Sequence, residues 1–183
     1  MVKLILHTAI AVTVALTFIA CTSASKPSRN RATSATMLLL EKGRYEEVAS
    51  RLSSKSWSPF SSKEERVYMY SEAINGLVGV GDSWMKQKEY EKAGLSYRKA
   101  LDYYPSEAPI VRKVKLSRQE VLKKMGDCSN SLMEAGLLKY RSGRIEEAIS
   151  IWEKITRFDP VNAEALKALD TATIQLENLR KLN

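Results

Sequence analysis

Three stretches of this chain turn and resume in the same way: GRYEEVASRL from Gly43, KEYEKAGLSYRKALDYYP from Lys88, and GRIEEAISIWEKITRFDP from Gly143. In each, Tyr45, Tyr90 or Ile145 follows the turn, and two charged residues come next. A small residue then appears (Val48, Ala93, Ala148), and four positions later a large one (Leu52, Tyr97, Trp152). The two later copies close on Pro105 and Pro160, and each has a glycine seven residues before its turn, Gly81 or Gly136. Small residues at fixed places on both sides of a turn let two helices approach closely. One such hairpin cannot bury its apolar face alone, so the pattern demands neighbours that stack on it.

The rest of the sequence agrees with helices. From about Met37 onward apolar residues recur every three or four positions, with no strand-like alternation of useful length, so an all-α fold is expected. A break at Lys42-Gly43 separates two short amphipathic pieces. Ser61 or Ser62 can cap a long helix reaching about Gln87, and Glu64 and Glu65 suit its first turn. Its buried face should carry Val67, Tyr70, Ile74, Leu77, Val78, Gly81 and Met85. The returning helix runs from Tyr90 to Tyr103, and Pro105 stops it. Across residues 107–141, Val114, Val121, Met125, Cys128, Leu132 and Ala135 keep a seven-residue pattern. That predicts one continuous, unusually long helix, with a break at Gly126 as the alternative. A final helix from about Asn162 carries Leu166, Leu169, Leu176, Leu179 and Leu182.

The hairpin pattern resembles the tetratricopeptide repeat, a helix–turn–helix unit of about 34 residues. Gly136, Ala148, Trp152 and Pro160 carry the resemblance in the third copy, and Gly81, Ala93, Tyr97, Ala100 and Pro105 in the second. The turns lie 45 and then 55 residues apart, so the expected domain, residues 36–183, is an irregular array of antiparallel hairpins with a C-terminal capping helix. The resemblance implies peptide binding on the concave face, lined by the first helix of each hairpin. Carried over to this chain, that face comprises Asn75, Val78, Asp82 and Met85 from the second copy. The third copy contributes Asn130, Met133, Leu137, Tyr140 and Arg141. This set does not match the Lys/Asn clamp that some relatives use for a terminal carboxylate.

The N-terminus is of another kind. Lys3 precedes 17 apolar-leaning residues, 4–20, without a further formal charge, the layout of a secretory signal. An uncleaved anchor is the alternative, although a spanning helix needs about 18–20 residues. Phe18-Ile19-Ala20-Cys21 resembles a bacterial lipobox, with phenylalanine where leucine is usual. The resemblance implies removal of a signal peptide, residues 1–20, and fatty acylation of Cys21 (palmitate-type chains). Residues 21–35, rich in Ser, Thr and basic residues, would form a flexible tether. Thr22 in place of aspartate implies an outer-membrane protein facing the periplasm rather than one retained at the inner membrane.

Composition argues against catalysis. The single histidine is His7, inside the signal, so the mature chain lacks imidazole for acid–base work, and no metal or cofactor is expected. Glu46-Glu47, Glu64-Glu65 and Glu146-Glu147 fall in first helical turns, where acids favour the positive end of the helix dipole. Cys128 reads as a buried structural thiol. The formal charge of +8 concentrates in Arg112, Lys113, Lys115, Arg118, Lys123 and Lys124, opposed there only by Glu120. Such a segment is either a solvated helix face or a site for an anionic lipid, an envelope polymer or an acidic partner. It lacks the interleaved aromatics that nucleic-acid binding would use. The expectation is therefore an envelope-anchored scaffold that holds a protein or peptide segment.

Overall fold

The computed structural model describes residues 31–53 and 62–182. Cys21, the signal and the tether up to residue 30 lie outside the described residues. Among the described residues eight helices follow in order: α1 (Arg31–Glu41), α2 (Tyr45–Ser53), α3 (Lys63–Lys86), α4 (Tyr90–Asp102), α5 (Ala108–Val111), α6 (Arg118–Arg141), α7 (Ile145–Phe158) and α8 (Ala163–Leu182). No strand occurs among the described residues, and the chain is all-α as expected. The long helices pack in chain order, α2 on α3, α3 on α4, α4 on α6 and α7, α6 on α7, and α7 on α8. Tyr97, Phe158, Met69, Ile74, Ile110 and Ile155 are fully buried between them. A fully buried aliphatic or aromatic side chain contributes about 1.5–3 kcal/mol, so this seam of contacts accounts for most of the cohesion.

The hairpins α3–α4 and α6–α7 share one register. Helices α3 and α6 are both 24 residues long, and the second starts 55 residues after the first, Arg118 after Lys63. Their caps coincide as well. The Ser62 hydroxyl accepts from the Glu65 N–H at 3.1 Å, and the Ser117 hydroxyl accepts from the Glu120 N–H at 3.2 Å. In the second cap Glu120 reaches back to the Ser117 N–H at 2.7 Å and completes a capping box. Inside each hairpin a glycine meets the large aromatic of the returning helix. A Cβ at Gly81 would overlap the Tyr97 ring, and one at Gly136 would overlap the Trp152 indole. The close approach expected at these glycines is present, and its partner is an aromatic ring rather than a backbone.

Two boundaries differ from expectation. Residues 107–141 do not form one helix: α5 ends at Val111, residues 112–117 turn and bend, and α6 starts at Arg118. Nor does the chain break at Gly126, which sits inside α6. The heptad pattern registered Val114 as the start of a helical face because that side chain does point inward, half-buried against the core. The capping box at Ser117 overrides it by supplying a helix start three residues later. The second difference is at the tether, whose expected end at residue 35 lies within α1; Thr33 and Thr36 are buried there.

Candidate functional site

Two grooves run along the face presented by α3 and α6. The first, of about 330 Å³, has Asn75, Val78 and Asp82 of α3 on one side and Lys115, Leu116 and Lys124 on the other. The bent segment 112–117, a strap, crosses α3 here. Asn75 fastens it: the amide Nδ2 donates to the Lys113 carbonyl at 3.4 Å, and Oδ1 accepts from the Lys115 N–H at 2.9 Å. The Tyr104 hydroxyl donates to the Leu116 carbonyl at 2.8 Å and holds the far end.

Lower in this groove, Asp82 Oδ1 accepts from the Tyr97 hydroxyl at 2.6 Å and from Lys124 Nζ at 2.8 Å. Partial burial pushes the Asp82 carboxyl up, but hydrogen bonds from Lys124 and Tyr97 outweigh it and hold the group below its ordinary value. Burial and the Asp82 carboxylate together push the Tyr97 phenol far up. The Met85 sulfur lies 3.8 Å from Cys128 Sγ. Burial first, and then the Asp127 charge, raise the Cys128 thiol to about 11, which keeps it protonated and unreactive. The four residues expected to bind from the second copy thus share one face. Asn75, Asp82 and Met85 are each engaged there by the chain itself.

The second groove, of about 470 Å³, lies between α6 and α8. Met133, Leu137 and Tyr140 form one wall, Ala168 and Thr171 the other, and Trp152 the floor. The indole N–H donates to the Met133 carbonyl at 3.3 Å, so the floor is fixed and polar-satisfied. The Tyr140 and Trp152 rings are 5.8 Å apart and tilted by 43°, within the range where aromatic pairs attract. The Tyr140 hydroxyl is bonded to Gln175 and ties α6 to α8. Glu134, Glu164 and Lys167 stand on the rim.

Three of the five residues expected from the third copy therefore meet in one concavity. Asn130 is exposed one turn above it, and Arg141 is exposed at the end of α6, outside the lining. Sequence reasoning assigned Trp152 to packing alone, but it is both packed and the groove floor. The α8 wall was missed because α8 was taken as a cap. The alternation Glu164, Lys167, Ala168, Thr171 at helical spacing was the available signal for a second wall.

The basic residues do not share a helix. Arg112, Lys113 and Lys115 lie in the strap, and Arg118 is the first residue of α6. None has a carboxylate partner among the described residues, because Glu120 is spent on Ser117. Among the described residues no three His, Cys, Asp or Glu side chains gather as potential metal ligands, and no helix is long and apolar enough to cross a membrane. No protein-family model matches this chain, and neither does any curated protein or solved structure.

Proposed function

We propose that this protein is a tetratricopeptide-like interaction scaffold, lipid-anchored through Cys21 to the outer membrane and facing the periplasm. It holds a segment of an envelope protein and so assists the assembly or stability of an envelope complex. It carries out no catalysis of its own. The observation that carries this reading is the α6–α8 groove: about 470 Å³, mostly apolar in lining, and built around the fixed indole of Trp152. Concave apolar sites with a few polar groups at the rim are where proteins take ligands and peptide segments. In this reading α8 is both the capping helix of the array and a wall of its binding face.

In-cell photo-crosslinking tests it. A crosslinker at Leu137 should capture one envelope protein reproducibly, and one at exposed Glu153 on α7 should not. Absence of any product specific to Leu137 would refute the scaffold. The anchor is tested separately, since Cys21→Ser should abolish acyl labelling and free the protein from membranes.

A second reading draws on Arg112, Lys113, Lys115 and Arg118, which have no carboxylate partner among the described residues and would bind an anionic envelope polymer or lipid. Charge reversal at Arg112, Lys113 and Lys115 should then cut sedimentation with anionic vesicles, in a salt-dependent manner. Unchanged sedimentation eliminates that reading.

A further inference from the structure

We propose that the basic strap and the open cleft beside it form a contact for the surface of an anionic phospholipid bilayer. The cations hold phosphate groups, and the cleft takes the upper part of an acyl chain. This rests on the second reading above and deepens it, by choosing a lipid over a polymer.

The charge is gathered on a fixed piece of backbone. Arg112, Lys113, Lys115 and Arg118 fall within seven residues, all exposed and none with a carboxylate partner among the described residues. Elsewhere cations are neutralised across the packed helices, Lys99 by Glu46, Lys139 by Glu147 and Arg157 by Glu91. Arg112 spends one N–H on the Ala108 carbonyl, at 3.3 Å, which leaves its charge unmatched. The strap is pinned along its length. The Val114 N–H donates to the Ile110 and Val111 carbonyls, both at 3.2 Å. Asn75 binds the backbone at Lys113 and Lys115, and Tyr104 holds the Leu116 carbonyl. Four like charges held together on one pinned turn repel each other, and an anionic surface relieves that repulsion.

The cleft supplies the apolar half of the site. It has a volume of about 590 Å³, with Tyr104 and Ser106 among its lining on one side and Val111, Val114, Ser117 and Arg118 on the other. Two of its polar groups are committed, the Ser117 hydroxyl to Glu120 and the Tyr104 hydroxyl to the Leu116 carbonyl. Glu120, the only acid in residues 112–124, is itself folded onto the Ser117 N–H and hydroxyl, both at 2.7 Å. What remains is apolar surface with the exposed Arg118 beside it. A lipid complements that pairing because it carries phosphate and hydrocarbon on one molecule, whereas a polyanion would leave the apolar surface in water. A guanidinium also engages phosphate oxygens two at a time. The chain length fits. Arg31, the first residue of α1, follows Cys21 by ten residues, which span at most about 35 Å. An anchor at Cys21 therefore keeps α1 near the bilayer, and charge decides which face turns toward it.

The full chain carrying Cys21→Ser, which has no acyl anchor, isolates the contact. An environment-sensitive fluorophore is attached at Ser106→Cys in the cleft or, as the control, at Ser150→Cys, exposed on α7. Buried Cys128 stays unlabelled. Each protein is titrated with vesicles of phosphatidylglycerol or of phosphatidylcholine, both carrying a nitroxide quencher high on the acyl chain. Phosphatidylglycerol should quench the Ser106 label saturably and leave the Ser150 label bright, and phosphatidylcholine should quench neither. One Lys or Arg near an anionic surface is worth about a factor of five, so Arg118→Gln should weaken the titration about fivefold. Reversal to glutamate at Arg112, Lys113 and Lys115 should weaken it further, and circular dichroism checks that each variant folds. No quenching at Ser106, equal quenching by phosphatidylcholine, equal quenching at Ser150, or indifference to the charge reversals would each overturn the proposal. Soluble polyphosphate separates this inference from the reading beneath it. Polyphosphate binding that depends on Arg112, Lys113 and Lys115, with a Ser106 label that lipid does not quench, would keep the polymer site and remove the lipid contact. Failure with both vesicles and polyphosphate would remove both.

Discussion

The two grooves are built from one hairpin used twice, and one is closed while the other is open. In the first, the two polar side chains that α3 turns to the concavity are matched inside the chain: Asn75 to the strap backbone, Asp82 to Tyr97 and Lys124. In the second, the equivalent positions hold Asn130 and Leu137, and only the rim is charged. The difference begins at the ends of α4 and α7. After α4 the chain forms a single helical turn, α5, and then bends back across α3; after α7 it runs straight into the 20 residues of α8. A repeat can therefore keep its hairpin and change its surface through the connecting segment alone.

The harshest test of hairpin equivalence is at the aromatic floors. Trp152→Ala removes a buried indole and should cost about 3–5 kcal/mol in urea unfolding. Tyr97→Phe keeps the ring and removes only the hydroxyl on Asp82, a loss of about 1 kcal/mol. Valine at Gly136 or Gly81 should cost about 1–3 kcal/mol at either site, because each new side chain meets a ring that is already packed. A large effect at Gly136 with none at Gly81 would break the claim that the hairpins are one object.

The asparagines sharpen the comparison at a smaller scale. Asn75→Ala deletes both strap contacts and leaves the Lys115 N–H seeking water, so stability should fall by about 1–2 kcal/mol. Hydrogen exchange at the Lys115 amide should quicken in that variant. Asn130→Ala removes no hydrogen bond among the described residues and should move stability by less than about 0.5 kcal/mol. Equal losses at the two sites would mean that the second groove is closed too.

Much of this architecture was legible because helical hairpins write their rules locally. Gly81 and Gly136, Ala93 and Ala148, Tyr97 and Trp152 all lie where their spacing placed them. The strap was not legible from periodicity, since Val114 extends the heptad of α6 and a strap that buries alternate residues mimics one helical turn. Capping chemistry would have found it: Ser117-Arg118-Gln119-Glu120 repeats Ser62-Lys63-Glu64-Glu65 at the same 55-residue spacing that relates the turns. The grip of Asn75 on the strap, and the wall formed by α8, are tertiary facts. They join residues roughly 40 or 35 positions apart, as in Asn75 with Lys115 or Tyr140 with Gln175, where no local pattern reaches.

The smallest expected effect is on pH, and it too should separate the grooves. Hydrogen bonds from Lys124 and Tyr97 outweigh burial and depress the Asp82 carboxyl, and the Arg66 guanidinium depresses Glu107 at the start of α5. Both groups are more acidic folded than unfolded, so the unfolded chain takes up protons first as pH falls. Their stabilisation is complete above the ordinary carboxylate range, near pH 4, and is lost as pH drops through that range toward the folded values. The Asp82 and Lys124 side chains are 38% and 37% exposed, so solvent screening limits that pair to less than about 1 kcal/mol. The Arg66–Glu107 pair joins α3 to the start of α5, just ahead of the strap, and the Asp82–Lys124 pair joins α3 to α6 beside it, whereas the second groove has Leu137 where Asp82 would stand. Acid should therefore lower the exchange protection of the Lys115 amide before that of the Trp152 indole. Asp82→Asn should remove part of this pH dependence while leaving the Trp152 protection unchanged. Simultaneous loss at both places would show that the two hairpins unfold as one unit, so that the ion pairs stabilise the array as a whole rather than the closed groove.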